Sequence, residues 1–414
     1  MNTSMGEKRN AQIGVAGSGN GTMSSGETAA NAIRPFRIET PEAELDDLKL
    51  RLDMTRWPDE LPGAGWDYGA PLSFVKGMAE YWRTSFDWRR QEARLNELPQ
   101  FTATVDGANL HFFHVRSPEA TATPLLLVHG WPGSPVEFLD LIGPLTDPAS
   151  YGGDAADAYH LVIPSLPGFG LSGPTTAKGW THGRAAAALA ALMELLGYAR
   201  YGVQGGDMGA MIAPEIGRIA APSVIGVHVN AATIGFVPFG QIEDEAFATL
   251  AEAEKVRLVR LGHFMQERFG FNKMMSTRPQ TLAYGLHDSP VGLLAWTCEL
   301  FYGFGDAPDA VDRDRFLTNL MLYWLTGTAN SSARMYYEGA HDPDAWAPKD
   351  PSPTPVAVAV AVFQQSDVAI RRYAEFGNNI ARWSEFDRGT HFPAIDAPDL
   401  MIADIRAFFR ELQQ

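Results

Sequence analysis

The feature that most constrains the fold of this chain is the segment 200–210, which reads RYGVQGGDMGA. The pattern predicts a short apolar strand, a sharp turn with Asp207 at its apex, and then a helix over 210–220. Gly205 and Gly209 flank the apex, and glycines in these places let a strand and a helix approach closely behind a strained residue. We therefore predict a nucleophile elbow in which aspartate takes the place where serine is usual.

A carboxylate at the apex of such a turn predicts covalent chemistry. Asp207 would attack an electrophilic carbon and form an ester, which water must then cleave. The alternative is that Asp207 only caps the helix that follows it, a common role for aspartate. The glycines around the apex, including Gly202, favour the nucleophile over the cap.

Composition bounds the class of protein. The chain has 414 residues, of which 45% are hydrophobic and 11% aromatic, so we expect a large globular core. Its net charge of -16 repels phosphate backbones and anionic lipid, so nucleic acid is not an expected partner. The single cysteine, Cys298, excludes an intrachain disulfide framework and a cysteine-based zinc site.

The sequence also lacks the usual signals for a membrane or for secretion. No apolar run approaches the roughly 18 to 20 residues that a transmembrane helix needs. The N terminus has no apolar signal segment. We therefore expect a cytoplasmic protein without a membrane span.

Changes in pattern along the chain predict its organisation. Residues 1–33, rich in small and polar residues, are predicted to be a flexible leader. Residues 34–120 form an N-terminal region with helices and the first strands. In 121–235 and again in 346–414, buried strands alternate with helices, which predicts an α/β fold with a mostly parallel sheet. Residues 236–345 contain helical patterns and no buried strand, which favours a helical lid inserted between sheet strands.

Two local signals in the N-terminal region predict turns and helix starts. Thr40 followed by Pro41 predicts a helix with Thr40 as its cap and Pro41 at its first position. Asp106-Gly107 lies between apolar strand patterns at 101–105 and 110–115, which predicts a hairpin. These bounds make its turn longer than the two-residue minimum.

The order of candidate catalytic residues is nucleophile, acid and base. His391 follows a predicted strand on a loop, and this position sets it apart from the other histidines of the chain. For the acid, Asp367 and Glu375 both come after the strand predicted at 356–363. Asp367 is preferred because it lies just beyond the end of that strand, where catalytic groups cluster. A solvated surface role for Asp367 is the rival interpretation.

An oxyanion hole requires backbone N–H groups close to the nucleophile. The amides of Trp131, in the loop after the strand at 124–128, and Met208, directly after the nucleophile, are the natural pair. His129 precedes Trp131 in that loop, and we expect it to be a structural hydrogen-bonding residue rather than a base.

Several motifs, taken together, resemble the microsomal-type epoxide hydrolases, and the likeness runs from about residue 35 onward. They are RWPDE at 56–60, HGWPGS at 129–134, QGGDMG at 204–209, DSPVGL at 288–293 and YWLTGT at 323–328. The resemblance implies the α/β-hydrolase fold, with a mostly parallel central sheet, a helical lid and an N-terminal extension. It also implies cofactor-free and metal-free hydrolysis of a small apolar epoxide by water to a vicinal diol, and a role in detoxification.

The resemblance assigns roles to individual residues. The nucleophile of the family corresponds to Asp207 and its base to His391, so the alkyl-enzyme ester on Asp207 would be hydrolysed by water that His391 activates. The lid tyrosine that donates a proton to the opening epoxide corresponds to Tyr336. A second lid tyrosine is usual in the family, and its position here is occupied by Phe271. Trp131, Phe271 and Tyr336 are therefore expected to line the substrate pocket.

Two further interpretations remain open from the sequence. The same scaffold could act on another electrophile, such as an ester, a lactone or an alkyl halide, because these do not need the phenol that Phe271 lacks. The chain could also be a catalytically silent binding homologue, although the retention of Asp207, His391 and Tyr336 together argues against it. The oligomeric state, including a homo-oligomer, is not determined by the sequence.

Overall fold

The computed structural model describes most of the chain. The described residues are 32–238, 242–303, 311–343, 352–364 and 366–413. Nearly all of the leader predicted at 1–33 lies outside them, and so does the predicted boundary between the lid and the second part of the core at 345–346.

One nine-stranded sheet forms the centre of the described chain. Its strands are β1 (Arg34–Pro35), β2 (Gln100–Val105), β3 (Ala108–Val115), β4 (Thr123–Val128), β5 (Tyr159–Pro164), β6 (Tyr201–Gly206), β7 (Val224–Asn230), β8 (Ala357–Phe363) and β9 (Asn379–Phe386). Their order across the sheet is β1-β2-β3-β5-β4-β6-β7-β8-β9. The first three strands pair antiparallel, as do β3 and β5, and the pairs from β5 through β9 are parallel. The predicted mostly parallel sheet is confirmed.

Some helices pack on the faces of the sheet, and others form a separate helical layer. They are α1 (Glu42–Asp53), α2 (Leu72–Thr84), α3 (Trp88–Leu95), α4 (Leu139–Thr146), α5 (His182–Leu195), α6 (Gly209–Ile219), α7 (Asp244–Ala248), α8 (Glu252–His263), α9 (Gly270–Thr277), α10 (Pro279–Asp288), α11 (Pro290–Gly303), α12 (Arg313–Thr326), α13 (Ala329–His341), α14 (Arg371–Ala374), α15 (Pro393–Asp396) and α16 (Pro398–Glu411). Helices α7 to α13 come between β7 and β8, within the predicted lid. Across the described residues, none of the helices has the length and apolar character needed to span a membrane.

The strands at the centre of the sheet are mostly apolar and buried because helices cover both of their faces. Strand β4 ends in four residues that are fully buried, and β8 alternates Val and Ala without one exposed side chain. Helix α16 packs against the sheet so closely that a side chain at Gly202 of β6 would collide with Phe409, and one at Gly226 of β7 with Leu412. This close packing fixes the positions of β6 and β7 in the sheet.

The hairpin between β2 and β3 is tighter than predicted. Strand β3 already begins at Ala108, which pairs with Val105, so Asp106 and Gly107 alone make the turn. Both turn residues have a positive φ, 49° and 73°, as a two-residue hairpin turn requires. The longer turn was wrong because Ala and Asn are weak strand formers, and the start of β3 is imposed by pairing with its neighbour.

The predicted cap of the first helix is also wrong. Helix α1 begins at Glu42, and its N-cap residue is Pro41, which offers no side chain to cap it. The Thr40 hydroxyl instead accepts a hydrogen bond from Trp88 Nε1 at 2.8 Å, and the Thr40 amide donates to Glu92 Oε1 at 2.7 Å. The Thr40 hydroxyl, which the local pattern assigned to the start of α1, therefore forms a tertiary hydrogen bond with α3 instead.

Helix α12 holds the lid against the loop that follows β4. The Asn319 amide donates to the Pro132 carbonyl at 2.7 Å, and the Tyr323 hydroxyl donates to the Gly133 carbonyl at 2.6 Å. All four groups are buried, so these hydrogen bonds are costly to break. They fix the lid and the HGWPGS loop relative to each other.

Candidate active site

The turn at Asp207 has the geometry of a nucleophile elbow. Asp207 lies between β6 and α6 with a φ of 55°. This is the left-handed region of backbone conformation, which residues other than glycine rarely adopt. A β-carbon on Gly205 would lie 2.2 Å from the Gly209 carbonyl oxygen, and one on Gly209 would lie 2.1 Å from that of Val128. The predicted close approach of strand and helix is confirmed. The alternative role as a helix cap does not hold, because the N-cap residue of α6 is Met208.

One oxygen of the Asp207 carboxylate is bound by the HGWPGS loop. The Trp131 amide donates to Asp207 Oδ1 at 3.0 Å, which is the position expected for an oxyanion-hole donor. A β-carbon on Gly130 would lie 2.3 Å from this oxygen, so the loop can approach only because residue 130 is glycine. Met208, the other predicted donor, forms no hydrogen bond with this carboxylate in the described residues, and its role stays a prediction.

The other oxygen of the Asp207 carboxylate faces His391. His391 Nε2 lies 3.4 Å from Asp207 Oδ2, which places the predicted base beside the predicted nucleophile. Burial alone would lower the pKa of His391, but the hydrogen bond and charge of Asp207, followed by the charges of Asp367 and Asp396, raise it above its usual value. The imidazolium form is therefore stabilised while Asp207 is ionised.

Asp367 is a buried acid of the site, not a solvated surface residue. Only 4% of it is exposed, and its Oδ2 accepts hydrogen bonds from the amides of Phe363 at 2.9 Å and Ala231 at 3.4 Å. Burial raises the pKa of Asp367 to about 6, although these hydrogen bonds and the positive charge of His391 act in the opposite direction. The preferred acid is therefore close enough to His391 to interact with it electrostatically.

A second carboxyl beside His391 was missed by the sequence interpretation. Asp396 Oδ2 accepts hydrogen bonds from both the amide and the hydroxyl of Thr390, the residue before the base. Burial raises the pKa of Asp396, and the positive charge of His391 acts against this. These two hydrogen bonds hold the loop that carries His391. Its signal was weak because an aspartate so soon after the histidine resembles an ordinary helix-end residue.

Three aromatic side chains enclose the space above the nucleophile. Phe271 stacks on Trp131, with ring centroids 5.7 Å apart and an interplanar angle of 13°, and Tyr336 contacts both rings edge-on. The structure therefore brings together the three residues predicted to line the pocket. A strongly apolar wall with one hydroxyl is what an uncharged substrate with a single reacting oxygen needs.

The Tyr336 hydroxyl is available as a proton donor. Burial, and then the negative charge of Asp207, raise the pKa of Tyr336 well above its usual value, so the phenol keeps its proton at neutral pH. Tyr323 is buried nearby. Burial, and then the negative charges of Glu137 and Asp207, raise its pKa, but its hydroxyl already donates to the Gly133 carbonyl. Tyr336 on α13 is therefore the better candidate for proton donation.

His129 is a structural residue, as expected. Its ring is fully buried and lies between the Gly130 carbonyl, 2.8 Å from Nδ1, and the Leu166 amide, which donates to Nε2 at 3.1 Å. Burial lowers the pKa of His129 to about 4, so the ring is neutral. It connects the loop after β4 to the loop after β5.

The described residues contain no group of three or more His, Cys, Asp or Glu side chains that could hold a metal ion. An aspartate at an elbow, with a histidine beside it and a buried acid close to that histidine, is an arrangement that can support hydrolysis through a covalent ester.

Comparisons with known proteins give the family. The family model for the epoxide hydrolase N terminus matches residues 33–138, and the model for the α/β hydrolase fold matches residues 123–219. A protein from Stigmatella aurantiaca, provisionally assigned as an epoxide hydrolase, is 42% identical over 92% of this chain and 86% of its own length. Epoxide hydrolase 1 of Sus scrofa is 33% identical over 92% of this chain and 90% of its own length.

Solved structures agree with the sequence relatives. The juvenile hormone epoxide hydrolase of Bombyx mori has a TM-score of 0.83 at 27% identity, and the match covers 93% of this chain and 96% of that one. The epoxide hydrolase of Aspergillus niger has a TM-score of 0.81 at 29% identity and covers 93% and 98%. The chain belongs to the epoxide hydrolase family and has the α/β-hydrolase fold, as the resemblance predicted.

The assignment of the acid can be tested by comparing two carboxyls. We expect Asp367→Asn to slow hydrolysis of the ester by about 10² to 10⁴, because the neutral amide no longer stabilises the imidazolium that forms. Rapid-quench measurement of the covalent ester would show it accumulating. Asp396→Asn, the matched control, should slow hydrolysis less. A larger loss for Asp396→Asn than for Asp367→Asn would assign the acid to Asp396.

Proposed function

We propose that this protein hydrolyses epoxides to vicinal diols through a covalent ester on Asp207. The observation that carries the proposal is the arrangement around that carboxylate. The Trp131 amide donates a hydrogen bond to one of its oxygens, and His391 faces the other. The Tyr336 hydroxyl interacts electrostatically with its negative charge. Nucleophile, base and proton donor thus meet in one apolar enclosure.

In the first step, an oxygen of Asp207 attacks one carbon of the epoxide ring. A carbon–oxygen bond to the enzyme forms, and the ring carbon–oxygen bond breaks. The leaving oxygen is a basic alkoxide, and it takes the proton of the Tyr336 phenol. The raised pKa of Tyr336 suits this role, because the phenol is protonated before the reaction and gives up its proton only to a stronger base.

In the second step, water attacks the carbonyl carbon of the ester. His391 takes a proton from this water, and the Trp131 amide stabilises the oxyanion that develops. The acyl–oxygen bond then breaks, and the imidazolium of His391 protonates the diol oxygen. Asp207 is left as a carboxylic acid, and its proton returns to the Tyr336 phenolate, which restores both groups. Asp367 lies where its negative charge stabilises the imidazolium during this step.

Ester formation itself prepares the base. The interactions that raise the pKa of His391 include those with the ionised Asp207, and they disappear when this carboxylate becomes an ester. Burial then acts against the charged form with only Asp367 and Asp396 opposing it, so the pKa of His391 falls. The neutral imidazole, which can accept a proton, is therefore favoured at the moment when water must be activated.

The enclosure favours apolar substrates with a flat substituent. Phe271, stacked on Trp131, offers an aromatic surface in place of a second phenol. We propose aryl-substituted epoxides as the substrate class, since aromatic rings pack well against such faces. A cytoplasmic location, a role in detoxification and a homo-oligomeric state are predictions that rest on the sequence.

The covalent step is tested by blocking the second half of the reaction. We expect His391→Gln to accumulate an adduct when it is mixed with styrene oxide, because glutamine cannot take the proton of water. Intact-protein mass spectrometry should show an increase equal to the mass of the epoxide. Asp207→Asn is the control and should give no adduct.

Each other outcome has a defined meaning. An adduct that forms on an ester or a lactone, but on none of several epoxides, would move the function to another electrophile. No adduct with any electrophile would favour a binding homologue.

The proton donor is tested with two adjacent tyrosines. We expect Tyr336→Phe to slow ester formation in a single turnover by about 10²-fold, because the alkoxide then leaves without a proton. Tyr337→Phe is the matched control, since Tyr337 is the next residue of α13 and is exposed. Equal rates in the wild type and in Tyr336→Phe would remove Tyr336 from this role.

A further inference from the structure

A carboxyl that the proposed mechanism does not use, Glu137, lies buried beside the site. It belongs to the short 3-10 helix Pro135–Phe138, directly after the HGWPGS loop, and only 9% of it is exposed. A β-carbon on Gly133 would lie 2.2 Å from Glu137 Oε2. The glycine at position 133 thus leaves the space into which this carboxyl folds back.

The protein groups nearby are already occupied. The Gly133 carbonyl accepts from Tyr323, and Arg315 is paired with Asp140 at 2.7 Å. Within the described ranges, no hydrogen bond or ion pair reaches the carboxyl of Glu137. Buried polar groups are otherwise satisfied by protein or by ordered water, so this carboxyl requires water as its partner.

The carboxyl of Glu137 faces space that water can enter. In the described chain, some side-chain polar atoms are both inaccessible to solvent and without a hydrogen-bond partner, for example Trp296 Nε1. The side-chain oxygens of Glu137 are not among these atoms. The Asp207 side chain, which lies against the same loop, is 28% exposed. Both carboxyls therefore border accessible space around one loop.

The two carboxyls also interact electrostatically. Burial, and then the negative charge of Asp207, raise the pKa of Glu137 well above its usual range. Both carboxyls also lie against the same loop. A β-carbon on Gly133 would lie 2.2 Å from Glu137 Oε2 and 3.3 Å from the Gly130 carbonyl oxygen, and one on Gly130 would lie 2.3 Å from Asp207 Oδ1. The raised pKa favours the neutral, protonated form of the Glu137 carboxyl.

We propose that Glu137 holds, by a hydrogen bond, the water that hydrolyses the Asp207 ester. This inference rests on the ester mechanism of the proposed function. One hydrogen of the water passes to His391. The other is donated in a hydrogen bond to the C=O oxygen of the Glu137 side-chain carboxyl. The water oxygen forms the new bond to the ester carbon, and Glu137 neither gains nor loses a proton. It is therefore a positioning residue.

Two substitutions separate the hydrogen bond from the shape of the side chain. Glu137→Gln keeps a neutral acceptor of the same size, whereas Glu137→Met keeps the length and removes the acceptor. We expect Glu137→Met to slow ester hydrolysis by about 10-fold, the worth of one hydrogen bond, and to leave ester formation nearly unchanged. Glu137→Gln should restore hydrolysis to within about 3-fold of the wild type.

Single-turnover kinetics with styrene oxide measure both steps, because the ester forms and decays in sequence. Unchanged hydrolysis in Glu137→Met would overturn the proposal. So would an equal slowing of both steps, which indicates a structural role, and so would a Glu137→Gln variant as slow as Glu137→Met, which indicates proton transfer.

A crystal structure of the substrate-free protein gives a test that does not depend on turnover. We expect an ordered water hydrogen-bonded to Glu137 and adjacent to the Asp207 carboxylate, and we expect it to be absent in Glu137→Met. A gap without water in the wild type would overturn the inference even if the epoxide reaction is confirmed. If the His391→Gln variant traps no ester while this water is present, the proposed function fails and the water site stands.

Discussion

The backbone strain at Asp207 is the constraint on which the rest of the site depends. A non-glycine residue at a φ of 55° costs on the order of 1 to 3 kcal/mol, and it persists only where its surroundings hold it. Here the packing of Gly209 against the Val128 carbonyl holds it, next to the buried and parallel strands β4 and β6. The strained turn presents the carboxylate above the sheet edge, where the loops after β4, β8 and β9 converge.

Charge balance around that carboxylate links the two chemical steps. His391 is surrounded by Asp207, Asp367 and Asp396, and all three favour its cation. In the proposed mechanism, forming the ester removes one negative charge and leaves the other two, so the step that produces the intermediate also prepares His391 to hydrolyse it. The negative charge of Asp207 raises the pKa of Tyr336 as well, so it helps to keep the proton of this hydroxyl in place before the attack.

The sequence predicted the features that local patterns encode and missed those that tertiary contacts create. The glycines around Asp207 and the order of Asp207 and His391 were sufficient to predict the elbow and the position of His391 beside it, because close backbone approach leaves a trace in the residues themselves. Thr40 was misassigned because its hydroxyl is used by Trp88, far away in the chain. The roles of Asp396 and Glu137 could not be predicted for the same reason: burial next to His391 or Asp207 exists only in the folded chain.

The most direct test of the ester mechanism is a single turnover of excess wild-type enzyme with styrene oxide in water labelled with oxygen-18. The mechanism transfers an oxygen of Asp207 to the product and replaces it from the solvent. The diol of the first turnover should therefore carry no label, and the peptide that contains Asp207 should gain it. A labelled diol with an unlabelled Asp207 peptide would show direct attack of water on the epoxide and would contradict the covalent mechanism.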